Sequence, residues 1–146
     1  MPSLEGLGGP ASLLRKPDTI VPGLRRLPWI ERLTMRRTFR GEELHQGSPQ
    51  PWLDQLWDVR VGAVDHSIYK VSFEARAPNR ADAEAISAMV FSKLQQVLGS
   101  PNHQNEALFI WDASDGNAVL QFANIGGDRR ITLFLTSSIV SSFTLR

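Results

Sequence analysis

The stretch from Asn79 to Gly99 constrains the fold most, because a long helix is spelled out there from start to stop. Asn79 is a favourable N-cap, and Asp82 stands three residues on, against the exposed amides and the positive end of the helix. Ala81, Ala85, Ala88, Met89, Phe91, Leu94 and Leu98 follow a helical rhythm, and Ile86, Val90 and Val97 broaden the apolar stripe. Gly99 and Pro101 then end it. The spacing predicts a helix over residues 80–98. A stripe this wide calls for a sheet to pack on.

Strand signals flank the helix. Trp57, Val59, Val61 and Ala63 alternate with Asp58, Arg60 and Gly62. On the return, Tyr69, Val71, Phe73 and Ala75 alternate with Lys70, Ser72, Glu74 and Arg76. This period of two predicts a hairpin turning at Val64–Ser67. After the helix, Ala107–Asp112, Ala118–Ala123 and Arg130–Thr136 read as strands, and Ile139–Leu145 as a further one. Asp115-Gly116 and Gly126-Gly127 mark the turns between them. Short links imply antiparallel pairing. The predicted fold is therefore an α+β two-layer sandwich, a mainly antiparallel sheet of about five to six strands covered by one long helix.

Residues 1–28 read differently. Prolines at 2, 10, 17, 22 and 28 and glycines at 6, 8, 9 and 23 interrupt any helix. They predict a flexible N-terminal arm, loose or laid over another surface, ahead of a single domain over 29–146. Pro28 would open a short helix through Ile30, Leu33, Met35 and Phe39, ending near Gly41, and residues 42–51 read as a loop.

Charge is uneven along the chain. Residues 1–41 hold eight basic and three acidic side chains, whereas residues 42–146 hold eight basic and twelve acidic ones. The two parts can attract each other within one chain or between copies. Nucleic-acid binding through the Arg-rich segment 25–40 is the competing reading. The net-acidic remainder of the chain weighs against it.

Chemistry is sparsely signalled. The chain has no cysteine, which removes disulfides, thiol catalysis and Cys-bearing metal sites. His45, His66 and His103 form no metal-ligand pattern, and neither a Walker lysine motif nor a G-x-S-x-G elbow is present, so no cofactor is expected. His103, Asp112 and Asp115 are the candidate pocket of a small-ligand-binding domain or small enzyme, since carboxylates at strand ends can face a cleft. Trp29, Arg36, Arg37, Trp52 and Trp57 are the candidate interaction residues, with rings as desolvated anchors and arginines as carboxylate partners. Strands 107–136 carry apolar residues at nearly every position, so either both sheet faces are covered or one meets a second subunit. The leading expectation is a non-enzymatic interaction or accessory protein that self-associates as a homodimer or other homo-oligomer, with an unidentified protein partner also open to it. No run reaches the roughly 20 apolar residues of a membrane span. A cytoplasmic protein without membrane insertion is expected.

Overall fold

A computed structural model describes residues 2–27, 42–125 and 127–138. The predicted short helix before Gly41 and the predicted strand over 139–145 lie outside the described residues, as do Trp29, Arg36 and Arg37.

One long helix, α1 (Arg80–Leu98), packs on an antiparallel sheet. The side chain of Asn79 accepts from the Asp82 N–H, and Gly99 closes the helix at φ 83°, a conformation that side chains with a Cβ resist. Both ends of the helix fall where the sequence puts them, because its caps are local.

Among the described residues the sheet is larger than expected, with about nine strands where five to six were predicted. The long ones are β4 (Gln55–Val64), β5 (Ser67–Ala77), β7 (Leu108–Ala113), β8 (Gly116–Ile125) and β9 (Asp128–Ser137). They correspond to the five alternating or apolar segments. The additions are short: β1 (Arg25–Arg26), β2 (Glu43–Gln46), β3 (Gln50–Trp52) and β6 (His103–Gln104). Backbone pairing defines them, and none is long enough to show a periodicity. The order is β1-β2-β4-β5-β9-β8-β7-β6, with β3 paired to β4 off that path. Pro51 is accommodated in β3, where a missing donor is tolerated at an edge.

Turn chemistry fixes two hairpins. Asp65 and His66 have φ of 51° and 63° between the paired Val64 and Ser67, and Leu53 and Asp54 have φ of 50° and 56° between Trp52 and Gln55. Two positive angles in a two-residue loop match the right-handed twist of the strands.

Register assigns the two faces of the sheet. Val59, Phe73, Leu133, Leu120 and Phe109 form one continuous cross-strand row, with Val61, Val71, Leu135, Ala118 and Trp111 in the next. This face carries the core. Val90, Leu94 and Leu98 of α1 belong to that core, and the helix contacts β5, β7 and β9. Leu4, Leu7, Ala11, Leu13 and Val21 of the N-terminal segment belong to it too. That segment forms three short 3-10 turns, Leu4–Leu7, Gly9–Leu13 and Asp18–Ile20, and Arg15 and Lys16 exchange backbone hydrogen bonds with Ile68 at the start of β5. Prolines and glycines prevent a regular helix in the arm yet leave its leucines free to be buried. Each such leucine contributes roughly 1.5–3 kcal/mol.

Candidate functional site

A groove of about 450 Å³ runs between the N-terminal half of α1 and the turn end of the β8–β9 hairpin. From the helix come Arg80, Ala83, Glu84 and Ser87, spaced three and four apart and so on one helical face. From β8 come Phe122, Ala123 and Asn124, and from β9 come Arg129, Arg130 and Ile131. Phe122 and Ile131 are cross-strand partners. Ile131 is fully buried, whereas Phe122 and Ala83 are partly buried against the core.

An aromatic chain continues inward from this floor. Phe122 meets Phe109 edge-on at 5.8 Å between centroids, and Phe109 meets Phe91 at 5.1 Å and Trp111 at 6.2 Å. Trp111 donates its indole N–H to the Gly99 carbonyl at 2.9 Å. The floor is therefore tied to the end of α1 through packed rings.

The rim is cationic. Arg80 Nε donates to Glu84 Oε1 at 3.0 Å, an i,i+4 pair. Arg130 lies on the opposite side of the strand, where its guanidinium stands 3.9 Å from the Glu74 carboxylate that Arg76 also approaches. Arg129 falls opposite Ala77 and Asn124, on the helix side two residues beyond Ile131. Among the described residues its guanidinium has neither a hydrogen bond nor an ion pair.

The structure disperses the residues singled out from sequence. Trp52 and Trp57 are buried, with ring centroids 5.7 Å apart. Trp52 donates to the Leu7 carbonyl and Trp57 to the Trp52 carbonyl. They are core residues that fasten the N-terminal segment. Arg25 and Arg26 are exposed in β1, and Arg25 bonds Gln46 at 3.2 Å. His103 and Asp112 are exposed on the β6–β7 margin. Asp115 belongs elsewhere: it accepts from the Leu4 N–H and the Ser3 hydroxyl, both at 2.8 Å. Burial pushes its carboxyl up, but those two bonds, its own N–H and the charge of Arg15 outweigh that and hold it below the ordinary aspartate range. A cavity of about 580 Å³ includes Asp115, Arg15 and Ser137, but neither His103 nor Asp112.

Among the described residues no group of three His, Asp or Glu side chains converges to hold a metal, and no helix is long and apolar enough to cross a membrane. Sequence reading passed over the groove. Its visible trace is Arg129-Arg130 at the start of an otherwise apolar strand, together with an alanine inside the stripe of α1. No protein-family model matches the chain, and no curated protein or solved structure proved similar to it.

Proposed function

We propose that this chain is a non-enzymatic binding domain, an accessory module that holds an apolar ligand in the groove between α1 and the β8–β9 hairpin. The observation that carries this reading is the groove itself, in which the apolar Ala83, Phe122 and Ile131 line the space together with polar residues of α1, β8 and β9. Its volume of about 450 Å³ lies in the range of small-molecule sites, which are mostly apolar with few polar groups. Titration with the neutral dye Nile red tests it. The wild-type chain enhances the dye's fluorescence saturably, and Ala83→Leu, which fills the groove, abolishes the effect. Enhancement that Ala83→Leu leaves intact would move the site elsewhere.

Self-association is the second reading, and it has its own observation. Ile110, Val119 and Phe134 stand in one cross-strand row on the face turned away from α1, with Leu108 on the same face. All four are partly buried and lie outside the helix-side core. A second copy laid on this row would remove apolar surface from water. Light scattering on wild type and Val119→Lys tests it: a dimer that the lysine dissociates supports the reading, and a wild-type monomer ends it.

A further inference from the structure

Arg129 lines the apolar groove with no carboxylate partner among the described residues, unlike Arg80 and Arg130. Glu84 neutralises Arg80, and Arg130 shares Glu74 with Arg76. Arg129 is a half-buried residue that lines the groove with Phe122 and Ile131, and its guanidinium has no ion-pair or hydrogen-bond partner among the described residues. We propose that the groove binds a small amphipathic monocarboxylate, its acid group received by Arg129 and its hydrocarbon chain laid over Ala83, Phe122 and Ile131. This rests on the groove being a binding site, and it adds the chemical class of the ligand.

Three considerations select that class. The guanidinium fork matches both oxygens of a carboxylate in plane. On the helix side of the groove Arg129 is the cation without a carboxylate among the described residues, which matches a single negative charge, whereas a phosphate dianion would bring a second charge to that side with nothing to meet it. Size then separates a small molecule from a protein partner. About 450 Å³ holds a short hydrocarbon chain, while a stable protein interface covers about 800 Å² on each partner.

Calorimetric titration of the full chain with decanoate and with decanol tests the proposal. The wild type is expected to bind decanoate roughly 10- to 100-fold more tightly than decanol, the range of a charge-assisted hydrogen-bonded pair. Arg129→Met keeps the unbranched apolar stem, so it should lose that preference and bind the acid no more tightly than the alcohol. Equal binding of the acid and the alcohol by the wild type overturns the carboxylate assignment and leaves the groove reading standing. So does a preference that survives in Arg129→Met. Failure to bind either ligand overturns both. Tighter binding of a short peptide with a free C-terminal leucine than of decanoate overturns the small-molecule assignment.

Discussion

Replacing Asp115 by alanine should loosen the N-terminal segment and remove a pH-dependent part of the stability. Its two carboxylate oxygens hold the Leu4 amide and the Ser3 hydroxyl at 2.8 Å, and the Pro2 carbonyl accepts from the neighbouring Ser114 amide at 2.9 Å. A hydrogen bond to a charged group contributes about 1.5–3 kcal/mol net in a dry setting. This site is only partly buried, so water replaces part of each bond, and the expected loss for the pair is about 1–2 kcal/mol. In a chain of this size that lowers Tm by roughly 2–6 °C.

The direction with pH follows from the lowered carboxyl. An aspartate in the unfolded chain titrates at about 3.9. Below that value the unfolded state takes up the proton first, so the stabilisation is complete at neutral pH and fades as pH falls through the folded value. Urea unfolding of wild type and Asp115→Ala should therefore show a gap at pH 7 that narrows between pH 4 and the acid limit of folding. Hydrogen exchange at the Leu4 amide should quicken at neutral pH in the variant. A gap that is absent at pH 7, or that widens in acid, would refute the assignment of Asp115 as a charged anchor for residues 2–5.

Three further substitutions probe the packing. Leu7→Ala should cost about 2–4 kcal/mol in urea unfolding, because that leucine is 1% exposed within the core, whereas Leu56→Ala, at 59% exposed, should stay within about 0.5 kcal/mol; equal effects would deny the N-terminal segment its place in the core. A Cβ at Gly116 would run into the Thr136 carbonyl oxygen at the β7–β8 turn, so Gly116→Ala should destabilise by about 1–3 kcal/mol in the same assay.

Legibility followed the range of the signal. Helix α1 was readable because Asn79, Gly99 and Pro101 act on their own neighbours, and the long strands because alternation and Gly-bearing turns are equally local. Strands β1, β2, β3 and β6 were not, since two to four residues show no period and become strands only by pairing, β1 and β2 with segments farther along the chain and β3 and β6 with the strand that follows each. Trp52 illustrates the same limit. Beside Pro51 it reads as a ring on a loop, yet its partners are Leu7, Trp57 and Phe73. Asp115 reads as a turn residue, and only the return of Ser3 and Leu4 from over a hundred positions away makes it an anchor. Arg129 was the least accessible, because which carboxylates come near it among the described residues depends on how α1 and the strands are brought together.

The groove exists because α1 presents an alanine where a larger residue would close it. Elsewhere the helix packs with Val90, Leu94 and Leu98, all buried in the core. At Ala83 the chain forgoes that burial. Leucine there adds three carbons, worth about 0.8 kcal/mol for each methylene removed from water, so Ala83→Leu should raise unfolding stability by up to about 2 kcal/mol where Phe122 yields. The same variant should bind no Nile red. Gain of stability with loss of binding is the signature of a site kept open at the expense of packing. A variant that is destabilised and still binds the dye would show the opposite, that Ala83 is held small by crowding and that the space beside it receives nothing.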